Sequence, residues 1–61
     1  MERHKIKEMR AKLNISQESF AHKIGVTWGT VNRWENDKAK PSLMASERLR
    51  LLLKEMNMGG I

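Results

Sequence analysis

Four residues in one short stretch carry the side chains best suited to reading the base edges of a nucleic-acid duplex: Trp28, Gly29, Asn32 and Arg33. The guanidinium fork of Arg33 matches the two major-groove acceptors of guanine, and the amide of Asn32 matches the donor and acceptor of adenine. The indole of Trp28 could pack on a thymine methyl, and Gly29 would let the backbone come close. Plainer alternatives stay open: Arg33 could contact only phosphate or solvent, Asn32 could be a bystander, and Trp28 could cover the domain's own surface.

Phosphate groups would be held by a second set of atoms, the free N–H groups at helix N-termini. These N–H groups and the helix dipole favour anions. Gln17 and Thr27 lie at two such ends, as the helix signals below indicate. We therefore expect both to contact backbone phosphates, which position a protein on DNA without specifying sequence.

The composition fits a small basic domain of this kind. The 61 residues include 12 Lys and Arg against 7 Asp and Glu, a net charge of +5. The pI of about 10.1 exceeds the value typical of nucleic-acid-binding domains, although charge alone is also compatible with a merely solvated surface. Without cysteine, neither disulfides nor thiolate metal sites can support so small a core.

Catalytic and metal chemistry has no candidate residues. His4 and His22 are expected on the surface, with no cysteine and no convergent carboxylate to complete a metal site. No nucleophile stands beside a placed base, and no Gly-rich loop could cradle a phosphate. We expect no enzyme activity, no cofactor and no small-molecule ligand. The longest aliphatic run, Leu51 to Leu53, predicts no signal peptide, no spanning helix and no membrane contact, hence a cytoplasmic protein that joins the nucleoid when bound to DNA.

The elements that must position these side chains are predicted to be helices. Helix 1 extends from about Glu2 to Leu13, because apolar residues recur there on one face. Ser16 can cap helix 2, which begins at Gln17 and ends at Gly25, where a left-handed residue is needed. The apolar face of helix 1 consists of Ile6, Met9 and Leu13.

The same signals recur directly afterwards. Thr27 can cap helix 3, which runs from Trp28 to about Asn36 and places Trp34 in the core. The connection of Gly25, Val26 and Thr27 is so short that helices 2 and 3 must cross steeply, as in a helix-turn-helix.

A last helix completes the core. Ser42 can cap it, and it either continues to about Asn57 or breaks near Ser46. We therefore predict an all-α fold, a compact domain of four to five helices over residues 1–57 with a frayed tail over 58–61. The apolar face of the last helix consists of Ala45, Leu49, Leu52, Leu53 and Met56.

The stretch from Gln17 to Trp34 resembles the phage repressor and Cro family of helix-turn-helix domains, the lambda-repressor-like or XRE family. Family positions for a small residue, a glycine and two aliphatics are occupied by Ala21, Gly25, Val26 and Val31. Three further segments match, Ser16-Gln17, Trp34-Glu35-Asn36 and Lys38-Ala39-Lys40-Pro41-Ser42, so that the resemblance covers about residues 5–56. Two positions depart from it. Asp37 replaces the usual Gly at an expected strain of about 1 kcal/mol, and Trp28 replaces a residue that is often Ser, Arg or Gln.

This resemblance implies a sequence-specific transcriptional regulator, repressor-like, that inserts helix 28–35 into the major groove of double-stranded DNA. It also implies that Arg10 and Glu35 form a structural ion pair between helix 1 and the end of helix 3. Relatives bind as symmetric dimers, so a homodimer on a symmetric operator is expected, with Met44 and Leu51 as candidate partner surface or as ordinary exposed residues. The full set of expected phosphate contacts is Ser16, Gln17, Thr27, Thr30, Asn36, Lys38 and Lys40.

Two other functions fit the same fold. The chain could be a protein-interaction module, such as an antitoxin half or a bridging factor. It could instead be the DNA-targeting domain of a larger enzyme. RNA binding suits the sequence less well, because the chain lacks a platform of several aromatic residues for stacking bases.

Overall fold

A computed structural model of the protein describes residues 3–59, with side chains for residues 4–57, and contains in that range four α-helices and no strand. The all-α prediction is confirmed. The last helix is continuous through Ser46, so the number of helices is four. Glu2, the predicted start of the first helix, and the last two positions of the predicted tail lie outside the described residues. The helices are α1 (Arg3–Leu13), α2 (Gln17–Ile24), α3 (Trp28–Glu35) and α4 (Leu43–Gly59).

Side-chain caps fix where three of the helices begin. The Ser16 hydroxyl accepts a hydrogen bond from the Ser19 N–H at 3.1 Å, and the Thr27 hydroxyl accepts one from the Thr30 N–H at 3.3 Å. Ser42 does the same at the start of α4. Each cap satisfies a backbone donor that has no partner inside its helix, and the caps lie at the predicted positions.

A left-handed residue ends each of the first three helices. The amide of the following residue then bonds back to a carbonyl five positions earlier, which turns the chain sharply away from the helix axis. Asp37 adopts this conformation where a glycine was expected, with φ 59°. The other two left-handed residues are Asn14 and Gly25.

The core lies where the apolar faces of all four helices meet. Phe20 from α2 and Val31 from α3 are fully buried at its centre. Trp34 is 3% exposed and belongs to the core, so it is not available to a ligand. The remaining buried apolar residues are Ile6, Met9, Ala21, Ile24, Ala45 and Leu49.

The end of α2 is tied to α4 by a contact that the sequence did not suggest. Arg48 donates a hydrogen bond from Nη1 to the Ile24 carbonyl at 3.0 Å. That carbonyl lies in the last turn of α2, where a cation is favoured by the helix dipole. The guanidinium passes directly over Gly25, so the absence of a side chain at that position is what makes room for it.

The Gly25→Ala variant should therefore be destabilised. The backbone at Gly25 has φ 85°, and an added Cβ would collide with the Arg48 guanidinium. A left-handed L-residue costs about 1–2 kcal/mol, and loss of the Arg48 contact adds to this. Urea denaturation followed by circular dichroism measures the effect. Asn14→Gly, at another left-handed position, serves as the control and should not destabilise; equal stability of Gly25→Ala and the wild type would contradict the argument.

Candidate nucleic-acid interface

Helix α3 divides cleanly into a buried and an outward-facing side. Val31, Trp34 and Glu35 are buried against the other helices. The four predicted base-reading residues fall on the other side, where they are spaced for a single helical face. They are Trp28 and Asn32, four positions apart, and Gly29 and Arg33, also four positions apart.

The outward-facing side presents an aromatic ring, a guanidinium group and a position without a side chain. Trp28 is 54% exposed and offers the flat apolar face of its indole. Arg33 is exposed and makes no side-chain hydrogen bond or ion pair with any residue in the described range. Gly29 has open space where a Cβ would be, so nothing in the part of the chain that the structure describes requires a glycine there.

The predicted phosphate-binding residues surround this face on two sides. Ser16 and Gln17 lie at the start of α2, and Thr27 and Thr30 at the start of α3. The two threonine hydroxyls share one hydrogen bond of 2.9 Å, so one hydroxyl proton of the pair has no partner within the described chain. Beyond the end of α3, the exposed Lys38 and Lys40 add positive charge.

Asn36 is engaged within the protein. Its Nδ2 donates to the backbone oxygen of Asn32 at 2.9 Å and to the Asn32 Oδ1 at 3.2 Å. An amide nitrogen carries two protons, and both are used here. Asn36 could contact a phosphate only by giving up one of these two hydrogen bonds. The pairing of Asn36 with Asn32 follows from their spacing of four residues.

A bidentate ion pair underlies the interface. Arg10 donates from Nε to Glu35 Oε2 at 2.9 Å and from Nη2 to Glu35 Oε1 at 3.0 Å. The Glu35 side chain is 3% exposed and the Arg10 side chain 27%. The pair joins α1 to the last turn of α3, and it corresponds to the pair that the sequence resemblance implied.

The ionisation of this pair follows from its contacts. Burial alone would raise the pKa of Glu35, but hydrogen bonds from Arg10 and Gln17, with the charges of Arg10 and Lys7, hold the pKa below its ordinary value. The hydrogen bond to Glu35 likewise raises the pKa of Arg10, against the opposing effect of burial. Both groups are therefore charged at neutral pH.

Gln17 connects the ion pair to the outward-facing side of α3. Its Nε2 donates to Glu35 Oε1 at 3.0 Å. Its Oε1 accepts from the Trp28 indole N–H at 3.0 Å and from Asn32 Nδ2 at 3.3 Å. One proton on Nε2 remains for an outside acceptor such as a phosphate. The sequence indicated a role for Gln17 but gave no sign of these three contacts, which join residues 11 to 18 positions apart.

The Glu35 pair should make the domain sensitive to acid. Because the pKa of Glu35 is lower in the folded protein than its ordinary value of 4.5, the pair stabilises the fold above about pH 4.5. That contribution is lost as the pH falls through the folded pKa. Melting temperatures measured by circular dichroism from neutral pH downward should show the loss. An Arg10→Met/Glu35→Leu variant lacks the pair and should lose less stability over the acid range; identical pH dependence in the two proteins would contradict this assignment.

Other kinds of site find little support in the described part of the chain. Among residues 4–57, no three His, Cys, Asp or Glu side chains come close enough to hold a metal ion together. No helix within residues 3–59 combines the length and apolar character needed to cross a membrane. An open depression of about 560 Å³ lies beside the interface and is lined by Arg10, Ser16, Gln17, Glu18 and Trp28.

Comparison with known proteins gives consistent results. The model of the family described as Helix-turn-helix (HTH_3) matches residues 6–58. Over 47 residues the chain is 40% identical to an uncharacterized HTH-type transcriptional regulator of Archaeoglobus fulgidus. This match covers 77% of the chain but 66% of the relative, so the chain spans just under two thirds of that protein's length. No solved structure matches the chain significantly.

Proposed function

The chain belongs to the Helix-turn-helix family, and on that premise we propose that it is a sequence-specific transcriptional regulator that lays α3 in the major groove of double-stranded DNA. The observation that carries the proposal is the division of α3. Its buried side is fixed in the core while its other side presents Trp28, Gly29, Asn32 and Arg33 together. A major groove about 12 Å wide admits one such helix.

Each outward-facing side chain has a distinct expected contact. Arg33, exposed and unpaired within the described residues, is the candidate for guanine, and Asn32 is the candidate for adenine. The exposed face of Trp28 would pack on a thymine methyl. The indole N–H is already bonded to Gln17, which leaves the apolar face as the available part.

The phosphates on either side would be held by the N-termini of α2 and α3. Gln17 retains one amide proton, and the Thr27 and Thr30 pair retains one hydroxyl proton. Lys38 and Lys40 would follow the backbone beyond the groove. A net charge of +5 supports such contacts by attracting the chain to DNA at long range.

We expect two copies to bind a symmetric operator through α4. Met44 is 66% exposed and Leu51 62% exposed, and they lie seven positions apart, which places both on one face. Glu47 and Lys54 are exposed on the same face. Two α4 helices packed antiparallel about a two-fold axis would bring acid beside base while covering both apolar residues. Sedimentation of the wild type and a Leu51→Asp variant tests this pairing.

Selection of bound duplexes from a randomised pool at near-physiological salt tests the proposed function. Enrichment of a two-fold symmetric motif is the expected result. Retention that shows no sequence preference and is lost as salt rises would leave only non-specific phosphate binding. That outcome would favour a protein-interaction module of the same fold over a regulator.

Gly29 separates the requirements of folding from those of DNA binding. Because a Cβ at Gly29 meets nothing within 4 Å, Gly29→Ala should stabilise the free protein, by about 0.5–1 kcal/mol. The added methyl group points to the side that would enter the groove, so affinity for the selected duplex should fall. Thermal melting and fluorescence anisotropy measure the two effects. A variant that is both more stable and equally tight would show that α3 does not approach the bases closely at this position.

A further inference from the structure

We propose that the buried carboxylate of Glu35 determines which way the Asn32 amide points, and with it the donor and acceptor pattern that α3 offers to a base pair. This inference rests on the proposed function, since it concerns the specificity of the same surface. It assigns Glu35 a positioning role in addition to its ion pair with Arg10.

The physical problem is that an amide side chain has two orientations of nearly the same shape. Rotation by half a turn exchanges the oxygen, which accepts, for the nitrogen, which donates. An unconstrained Asn or Gln can therefore present either pattern to a ligand. A carboxylate accepts hydrogen bonds only, so an amide that faces it must turn its nitrogen inward.

Glu35 imposes this orientation on Gln17. Its Oε1 lies 3.0 Å from Gln17 Nε2, and Gln17 Oε1 consequently points outward to α3. There it accepts from the Trp28 indole nitrogen at 3.0 Å. An indole nitrogen can only donate, so the groups on both sides of Gln17 require the same orientation.

Asn32 is oriented in turn by two neighbours. Its Nδ2 lies 3.3 Å from Gln17 Oε1, and its Oδ1 lies 3.2 Å from Asn36 Nδ2. In the opposite orientation the Asn32 oxygen would face the Gln17 oxygen, and its nitrogen would face that of Asn36. Both changes replace an attraction by a repulsion, so the two neighbours select the same orientation.

The orientation leaves Asn32 with the atoms needed for base recognition. Within the described residues one proton on Nδ2 and one lone pair on Oδ1 have no partner, which is the combination that adenine requires. Glu35 itself is 4% exposed and cannot touch DNA. Glu35 acts on base preference through the residues that it contacts, and of these Gln17 is the one that bonds to Asn32.

The experiment uses Arg10→Met/Glu35→Leu, which removes the acceptor that faces Gln17 together with the cation that would otherwise be left unpaired. The first readout is the nuclear magnetic resonance spectrum of the free protein. We expect the Trp28 indole proton to shift upfield as its hydrogen bond weakens, and the Asn32 amide resonances to move. The indole resonance of Trp34, which is buried in the core, provides an internal reference.

The second readout is base preference in the duplex selection. Asn32→Ala identifies the base pair that Asn32 reads, as the one whose preference disappears. At that base pair the Arg10→Met/Glu35→Leu variant should lose about tenfold in preference, while the preference at the base pair read by Arg33 is kept. Arg48→Met, which removes a tie between helices away from this network, is the control for lowered stability and should keep every preference.

Two further variants keep the test decisive. Glu35→Gln is the milder variant: its amide can still turn an oxygen toward Gln17, so it should lose less of the preference than the double variant. Gln17→Met removes the hydrogen bonds that join Glu35 to Asn32 and leaves the ion pair of Arg10 with Glu35 intact. It should show the same loss of preference at the base pair that Asn32 reads. Any uniform loss of affinity in Gln17→Met reports its phosphate contact instead.

The proposal is overturned if Arg10→Met/Glu35→Leu keeps both the resonances and the base preference of the wild type, whatever Gln17→Met does. Failure of the proposed function looks different. In that case the wild type itself enriches no motif. The resonances of Trp28 and Asn32 in the free protein then still test whether Glu35 orients the Asn32 amide.

Discussion

Arg10→Ala should lower the free energy of unfolding more than any other substitution on the protein surface. It leaves the Glu35 carboxylate, whose side chain is 3% exposed, without its cation. Removing one partner of a buried pair typically costs 3–5 kcal/mol; because Arg10 is itself partly exposed, we expect about 3 kcal/mol. A domain of 61 residues is stable by roughly 3–9 kcal/mol in total. Thermal melting should therefore show a drop of about 12–24 °C.

The double variant Arg10→Met/Glu35→Leu distinguishes a cost of unpaired charge from a cost of lost packing. Replacing both members by apolar side chains of similar volume removes the unpaired charge, so stability should return to within about 1 kcal/mol of the wild type. A double variant as unstable as Arg10→Ala would show that the pair acts through packing. If Arg10→Ala instead melted like the wild type but no longer bound DNA, Arg10 would belong to the interface and not to the fold.

Arg33→Ala should have the largest effect on DNA binding without affecting stability. The side chain is exposed and contacts no other described residue through a hydrogen bond or ion pair, so the fold does not depend on it. Loss of a bidentate contact to guanine costs about 1–3 kcal/mol, or about 5- to 150-fold in affinity. The loss should be confined to duplexes that carry the preferred base pair, as fluorescence anisotropy on matched and mismatched duplexes would show.

Two variants separate base reading by Arg33 from attraction to phosphate. Arg33→Lys keeps the charge but lacks the planar fork, so it should bind the selected duplex nearly as weakly as Arg33→Ala. Lys38→Ala should weaken binding to all duplexes alike and reduce the slope of affinity against salt by about one unit. If Arg33→Ala behaved like Lys38→Ala, Arg33 would be a phosphate contact.

The helices could be predicted from sequence because their signals are local. Ser16 and Thr27 stand directly before the helices that they cap, and Gly25 stands at the turn that needs it. The sequence does not decide the continuity of α4, since Ser46 can cap a helix by its type, and only the structure shows that the helix passes through it. Asp37 shows the limit of residue preference: Asp tolerates the left-handed conformation better than most residues, but it is the family's usual Gly at this position that predicts it.

The hydrogen bonds within the site could not be predicted from the sequence to the same extent. Each expected contact residue could be chosen by its chemistry, but the partner that it meets inside the protein depends on how α2 crosses α3. The bond from Gln17 to Glu35 joins residues 18 positions apart, and that from Arg48 to Ile24 joins residues 24 apart. The pairing of Asn36 with Asn32 is different, because a spacing of four residues on a helix already predicts it.

Among residues 4–57 no side chain pairs with Arg33, and this has a consequence for redesign. An exposed helical residue of this kind can be replaced by any type except Pro and Gly, which disfavour the helix, while the scaffold stays unchanged. Asn32 and Trp28 do not have this freedom, because each donates a hydrogen bond to Gln17, which in turn bonds to the buried carboxylate of Glu35. A library that seeks new target sequences should therefore randomise position 33 alone first, and should vary position 32 only together with positions 17 and 36.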